Sequence, residues 1–81
     1  MPRFYFHTED GRRFPDDEGT ELANTAAAKD EATRILGEIL KDDSEMLWAT
    51  KDLRITVQDA DHLTLFIIDT SVVESPSVRR A

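Results

Sequence analysis

The chain has 81 residues, enough for one small domain, and 40% of them are hydrophobic, too many for a wholly disordered chain. Its net charge of −7 disfavours nucleic acid as a partner, since phosphate backbones are bound through Lys and Arg. The absence of cysteine excludes disulfides, thiolate catalysis and thiolate metal sites, and no apolar run reaches the roughly 18 residues of a membrane span.

The first predicted element is a β-hairpin. Aromatic residues dominate residues 3–8, and Asp10-Gly11 follows them, a dipeptide typical of hairpin turns because Gly adopts a positive φ without steric cost. We expect the return strand at about 12–16, kept short by Pro15, which cannot donate a ladder hydrogen bond. Residues 16–21 are polar and predict a loop.

An amphipathic helix is predicted from Asn24 to about Lys41. The Asn24 side chain is a suitable N-cap for the strong helix formers that follow it. The apolar residues that share one face at helical spacing are Ala28, Ala32, Ile35, Leu36, Ile39 and Leu40. The small residues in the first half indicate that the helix approaches the sheet closely there.

A second hairpin is predicted after the helix. The segment Met46-Leu47-Trp48-Ala49 is interpreted as an apolar loop that covers the open end of the core, with another helical turn as the alternative. Period-two alternation then predicts a strand at about 52–58, and an apolar run predicts its partner at about 63–69. Residues 71–81 lack periodicity and are expected to form a flexible tail.

Together these elements predict an α+β fold of order ββαββ. Two hairpins form one four-stranded antiparallel sheet with a single helix on one face, and the domain spans residues 1–70. Alternation directs these apolar side chains toward the helix: Phe4, Phe6, Leu53, Ile55, Val57, Leu63, Leu65 and Ile67. The residues expected on the uncovered outer face form the candidate interaction site: Tyr5, His7, Arg54, Phe66 and Ile68. Scattered exposed apolar residues without a partner are the alternative interpretation.

No catalytic, cofactor-binding or metal residue is assigned. His7 has no accompanying Ser or Cys nucleophile motif and is interpreted as a surface or interface histidine. His62 lies in the second turn with Asp59 and Asp61, and these acids are interpreted as turn formers, with weak divalent-ion binding as the alternative. The acids before the helix lack the ligand spacing of a calcium loop.

Several spaced motifs resemble a known family. They are Pro2-Arg3-Phe4-Tyr5-Phe6-His7, Asp10-Gly11, Glu18-Gly19, Ala26-Ala27-Ala28 and Glu31-Ala32. In this order they resemble a family of short alphaproteobacterial proteins classed as a domain of unknown function, which open with Pro-Arg, two aromatics, Phe and His. The resemblance implies a small bacterial cytoplasmic protein with no established activity or cofactor. Asn24 stands where similar proteins usually have an Asp cap, and His62 stands where they tend to have Gly.

The expected function is protein interaction. A non-enzymatic regulatory domain that self-associates through the outer sheet face or an edge is the first hypothesis. The alternative is an antitoxin-like acidic neutraliser of a basic, RNA-cleaving partner, because residues 16–45 hold ten acids and three bases and the chain loosely resembles the HicB-type antitoxin domain. An enzyme would need a site built from His7, Tyr5 and Arg54 across a dimer. The N-terminus lacks a signal-peptide pattern, so we expect a cytoplasmic protein without a membrane, nucleic-acid or small-molecule partner.

Overall fold

A computed structural model describes residues 1–80 and has an α+β fold built on one antiparallel sheet. The strands are β1 (Arg3–Glu9), β2 (Arg13–Phe14), β3 (Thr20–Glu21), β4 (Asp52–Gln58) and β5 (Thr64–Ser71). The helices are α1 (Thr25–Asp42), α2 (Ser44–Thr50) and a 3₁₀ helix at Pro76–Arg80. Ala81, the last residue of the predicted tail, lies outside the described residues.

The strands are ordered β2-β1-β4-β5, and β3 pairs with the start of β1. One side of β1 is therefore occupied first by β3 and then by β2, while β4 occupies its other side. The antiparallel sheet and the two hairpins are confirmed, but the ββαββ order is only partly matched. β3 lies within the segment predicted as a loop, because a two-residue strand is too short to produce a periodic pattern.

The core lies between α1 and the two central strands. Its buried side chains are Phe4 and Phe6 of β1, Leu53, Ile55 and Val57 of β4, and Ala28 and Ala32 of α1. Both alanines are fully buried, which confirms the predicted close approach of the helix to the sheet. Larger side chains at these positions would push α1 away from the strands.

Helix α1 begins where its capping chemistry predicts. The Asn24 side-chain oxygen accepts a hydrogen bond from the Ala27 backbone N–H at 2.9 Å, as an N-cap does. The helix ends at Asp42, one residue beyond the expected Lys41.

The interpretation of Met46–Ala49 as a loop is wrong, because Ser44–Thr50 forms helix α2 and the alternative of a helical turn is correct. Helix α2 ends at Thr50, and its C-cap Lys51 turns the chain into β4 with a left-handed φ of 61°. None of its seven residues is fully buried, so a strong amphipathic pattern was absent from the sequence.

The predicted phase of the last strand is also wrong. Phe66 lies opposite Val57 and Ile68 lies opposite Ile55, so Phe66 and Ile68 point toward the core and pack against it. Leu63, Leu65 and Ile67 are exposed instead of facing the helix. Both alternating sets of this run are apolar, so alternation alone did not identify the buried set.

Candidate interaction surfaces

Strand β5 forms one edge of the sheet, since β4 is its only strand neighbour within the described residues. It is eight residues long and contains neither Pro nor Lys, two residues that commonly protect an edge. Its one charged side chain, Asp69, accepts a hydrogen bond from Arg54 at 3.2 Å. The side of β5 away from β4 therefore offers N–H and C=O groups to another strand.

Three apolar side chains accompany this edge, and we call Leu63, Leu65 and Ile67 the apolar strip. Their exposed fractions are 63%, 41% and 50%. The register between β4 and β5 shifts by one residue between Val57 and Gln58, which is where Leu65 lies on β5. An exposed row of large aliphatic side chains beside a free edge is typical of an interaction surface.

The candidate residues Phe66 and Ile68 do not belong to this surface. Both are partly buried against the core, on the helix side of the sheet. Tyr5 and Arg54 do lie on the outer face, where they neighbour Gln58 and Asp69 on the adjacent strands. The predicted site is therefore split between the two faces of the sheet.

His7 lies on the outer face of β1 but is only 8% exposed. Its Nδ1 accepts a hydrogen bond from the Asp16 backbone N–H at 3.0 Å, and its Nε2 lies 2.9 Å from Gln58 Oε1. Because a backbone N–H can only donate, Nδ1 carries no proton and Nε2–H donates to Gln58. The Gln58 amide in turn donates to the Thr64 hydroxyl at 3.3 Å. His7 is thus buried within the chain, so the prediction of a surface histidine is wrong.

The Asp16 side chain replaces a missing strand partner of β1. One carboxylate oxygen accepts from the Phe6 backbone N–H at 3.1 Å, between the parts of β1 that pair with β2 and β3. The other oxygen accepts from the N–H groups of Glu18 and Gly19 at 3.1 and 3.0 Å. Burial raises the pKa of Asp16, but these backbone hydrogen bonds lower it by more, so the pKa lies below its ordinary value.

The loop at residues 15–19 is held closely against β1. Gly19 has a φ of +73°, and a Cβ placed there would lie 2.9 Å from Arg3 Cγ and 3.0 Å from the Phe4 carbonyl oxygen. Arg3 also donates to the Glu18 carbonyl oxygen at 2.6 Å. A residue other than glycine at position 19 would therefore be strained both by its own backbone and by its neighbours.

The turn between β4 and β5 is organised by Asp59. Its carboxylate accepts from the backbone N–H groups of Asp61 and Leu63 at 2.9 and 3.0 Å, which is the chemistry of a turn former. His62 adopts a left-handed φ of 62°, and its ring lies 4.9 Å from that of Tyr5. No group of three or more His, Asp or Glu side chains within the described residues could hold a metal ion.

Arg54 is occupied by its neighbours on the outer face. The hydrogen bond and the negative charge of Asp69 raise the pKa of Arg54 above its ordinary value. The Arg54 Nε is buried and has no hydrogen-bond partner among the described residues. Within one chain, no described hydrogen bond joins Arg54 or Tyr5 to His7, although the rings of Tyr5 and His7 are stacked with their centroids 6.5 Å apart.

A groove of about 410 Å³ lies on the helix side of the sheet, between the first hairpin and the junction of α1 with α2. Phe14, Ile39, Met46 and Leu53 provide its apolar lining. Four carboxylates also line it, those of Asp10, Glu38, Asp42 and Asp43. The sequence pattern missed this groove because its residues come from five separate elements, β1, β2, α1, α2 and β4.

Sequence reasoning also missed the partners of His7. Asp16 was visible only as one of several loop acids, and Gln58 only as a polar residue of an alternating strand. The pattern of an Asp three residues before a Gly is compatible with a side chain that accepts from its own loop, but the bond to Phe6 depends on the tertiary fold.

None of the described helices is both long and apolar enough to span a membrane.

Comparison with known families gives one match. Residues 3–71 match the family model described as a domain of unknown function (DUF6894), which confirms the resemblance to such a family and extends it through β5. No curated protein and no solved structure matches the chain significantly.

Proposed function

We propose that this chain, which belongs to the DUF6894 family, is a small non-enzymatic protein-interaction domain that pairs with a second copy of itself through β5. The observation that carries this proposal is the long, unprotected edge beside the apolar strip. Two β5 strands pairing antiparallel about a two-fold axis would join the two sheets into one.

Pairing of this kind satisfies two needs of the surface at once. The backbone groups on the free side of β5 gain hydrogen-bond partners, and the apolar strips of the two copies approach each other. Complete burial of an exposed aliphatic side chain contributes about 1.5–3 kcal/mol, and Leu65 and Ile67 still expose 41% and 50% of their surface, so each contributes a part of that amount. The single charge of β5, Asp69, is already paired with Arg54 and does not oppose the approach.

The state of His7 supports a function other than catalysis. Both ring nitrogens are engaged in hydrogen bonds to Asp16 and Gln58. A general base needs a free nitrogen within reach of a substrate proton. The unprotonated Nδ1 of His7 would have to lose its hydrogen bond from the Asp16 N–H before it could act in this way.

The test is the mass of the protein in solution, measured by size-exclusion chromatography with light scattering at low and high salt. We expect twice the chain mass of 9.2 kDa, and we expect Ile67→Lys to return the protein to monomer because a charge on an edge strand opposes pairing. Thr20→Lys on β3 is the matched control, since it adds the same charge at the opposite edge. A wild-type monomer, or a dimer that both variants weaken equally, would contradict pairing through β5.

A second candidate function is the neutralisation of a basic protein, and the acid-lined groove is the observation that favours it. Opposite charge on two partners accelerates their encounter and selects against acidic competitors. The test is co-expression with the product of an adjacent reading frame that encodes a small basic protein. We expect the two chains to purify as a complex and the basic protein to lose its toxicity, whereas a basic neighbour that remains toxic and does not co-purify would contradict this function.

A further inference from the structure

We propose that the groove between the first hairpin and the junction of α1 with α2 binds a basic, amphipathic segment of a partner protein, with an apolar side chain in the groove and Arg or Lys side chains at its rim. This groove would be the site that binds the basic protein of the second candidate function, and the proposal rests on that function. It is independent of pairing through β5, which lies at the far edge of the sheet.

The floor of the groove is apolar and reaches the core. Phe14 is 46% exposed, and it lines the groove together with Ile39 and Met46. Leu53, which is almost completely buried, also lines the groove and connects it to the core. A volume of about 410 Å³ lies within the range of about 300–1,000 Å³ that is usual for ligand sites, so there is room for a large aliphatic side chain.

The rim of the groove is negative. Of its four carboxylates, only that of Glu38 forms an ion pair with a described side chain, to Arg34 at 2.6 Å. Asp42 lies in the last turn of α1, where the helix macrodipole is also negative, so its charge adds to the dipole instead of compensating it. This arrangement is unfavourable for the free helix and becomes favourable when a cation is bound.

The Asp43 side chain also lacks the hydrogen bond that is expected at its position in the fold. It occupies the N-cap position of α2, yet its side chain makes no capping hydrogen bond. An Asp at this position usually accepts from a backbone N–H of the first turn. The carboxylate of Asp43 instead lines the groove, where it is available to a Lys or Arg of another chain.

The aromatic part of the floor already contacts a guanidinium. Arg12 lies over the Phe14 ring, with its central carbon 5.4 Å from the ring centroid. An arginine of a bound segment would therefore have to displace Arg12 to reach this face of Phe14, whereas the carboxylates of the rim are open to it. An acidic peptide or a nucleic acid would be repelled by the same rim, so charge complementarity favours a basic protein segment.

The experiment is a titration of the ¹⁵N-labelled chain with a capped hexapeptide that contains two leucines among four arginines, followed by two-dimensional NMR. We expect shifts of the amide signals of Phe14, Ile39 and Met46. Asp42→Asn combined with Asp43→Asn should weaken binding about tenfold, the sum of two exposed charge contacts. The matched control combines Asp17→Asn with Asp30→Asn, which removes two exposed acids outside the groove and should leave the affinity unchanged.

A second peptide, with serine in place of both leucines, separates the groove from diffuse charge. We expect it to bind at least tenfold more weakly, and we expect Phe14→Ser to reduce binding of the leucine peptide while the other amide signals keep their positions. Equal binding of the two peptides, or equal weakening by the two double variants, would contradict binding in the groove. Either result would mean that a basic partner is bound by the overall charge of the chain. Absence of any shift at the groove would also overturn it, whereas only the co-expression assay decides the second candidate function itself.

Discussion

The two edges of the sheet are built in opposite ways. The edge formed by β2 and β3 consists of two strands of two residues each, separated by a loop that contains Pro15. In that loop the Asp16 side chain occupies the Phe6 N–H, which a continuous strand would otherwise bind. The edge formed by β5 is a single strand of eight residues without Pro or Lys.

Edge strands invite pairing with other chains, and natural proteins usually protect them. Here the protection is elaborate at one edge and absent at the other. Within one small domain, this difference supports the proposal that the open edge serves an interaction, because the other edge of the same chain is blocked. Substitutions that remove the Asp16 carboxylate or strain the backbone at Gly19 test this difference between the edges.

The largest effect is expected for Asp16→Ala. The change removes the acceptor of three backbone N–H groups, those of Phe6, Glu18 and Gly19. The Phe6 N–H is then unpaired in a partly buried position. Hydrogen bonds to a charged group contribute about 1.5–3 kcal/mol, so we expect a loss of about 3 kcal/mol in the free energy of unfolding, measured in urea. Asp17→Ala is the control, since Asp17 is exposed and accepts no hydrogen bond from the described residues.

The same variant also tests whether the edge formed by β2 and β3 is protected against pairing with other chains. Loosening the loop at residues 15–19 would give the chain two open edges instead of one. We therefore expect Asp16→Ala to form assemblies larger than a dimer in light scattering, and combining it with Ile67→Lys should limit them. If Asp16→Ala changes stability by less than about 0.5 kcal/mol, as surface substitutions usually do, the protective role of Asp16 is wrong.

The next effect is expected at Gly19, which holds the loop against β1. Gly19→Ala forces a Cβ within 3.0 Å of the Phe4 carbonyl oxygen at a φ of +73°. We expect a loss of about 2 kcal/mol in the free energy of unfolding, because strained backbone positions cost about 1–3 kcal/mol.

Gly37→Ala is a matched control for Gly19→Ala with the opposite expected sign. Gly37 lies inside α1, and a Cβ there would meet nothing within 4 Å. Alanine at a helix interior is favoured over glycine by about 1 kcal/mol, so Gly37→Ala should stabilise the protein. Equal changes from the two substitutions in thermal unfolding would show that the loop does not require glycine.

The sequence predicted the elements whose signals are local. The Asn24 cap, the Asp10-Gly11 turn and the alternation of β4 each depend on a few neighbouring residues, and each is confirmed. The core side of β1 and β4 followed from the same alternation. For these elements the local pattern and the tertiary fold favour one conformation.

Signals that depend on tertiary contacts were missed. The run from Leu63 to Ile68 is apolar in both phases, and only its pairing with Ile55 and Val57 decides that Phe66 is buried. Strand β3 depends on pairing with Arg3 and Phe4, which no local pattern reveals. The same holds for the site: Tyr5, His7 and Arg54 were placed on the correct face, but the phase of β5, the open edge and the groove depend on strand pairing.

A smaller effect is expected for His7→Leu, which tests the contact between the protected edge and the outer face. The change leaves the Asp16 N–H without an acceptor and the Gln58 side chain without a donor, while keeping a side chain of similar size. Leaving a buried group unpaired costs about 1–3 kcal/mol, and partial access to water places the expected loss at about 1–2 kcal/mol in urea.

The wild-type His7 ring can be examined directly by ¹⁵N NMR. The hydrogen-bond pattern predicts a neutral ring with the proton on Nε2, because Nδ1 accepts from Asp16. His62, which is exposed in the turn, serves as the internal reference. A proton on Nδ1 at neutral pH would contradict the hydrogen bond from the Asp16 N–H.

The smallest effect is the acid sensitivity of the protected edge. Because backbone N–H donors lower the pKa of Asp16 in the folded state, the unfolded chain takes up a proton at higher pH than the folded chain does. Stability from this group is therefore complete above the ordinary Asp pKa and is lost as the pH falls through the lowered one. The loss should be smaller than that of Asp16→Ala, since a protonated carboxyl still accepts hydrogen bonds through its carbonyl oxygen.

The Asp16→Asn variant isolates this contribution, because the amide side chain at position 16 does not titrate. The difference in the free energy of unfolding between wild type and Asp16→Asn should shrink as the pH falls below about 5. The hydrogen bond from Arg34 lowers the pKa of Glu31 as well, but Glu31 is present in both proteins, so its contribution cancels in this difference. The bonds of Asp16 to Phe6 and Gly19 are partly buried and are therefore weakly screened by salt. Repeating the measurement at high salt should leave the difference unchanged, and a difference that does not change with pH would contradict the protective role of this carboxylate.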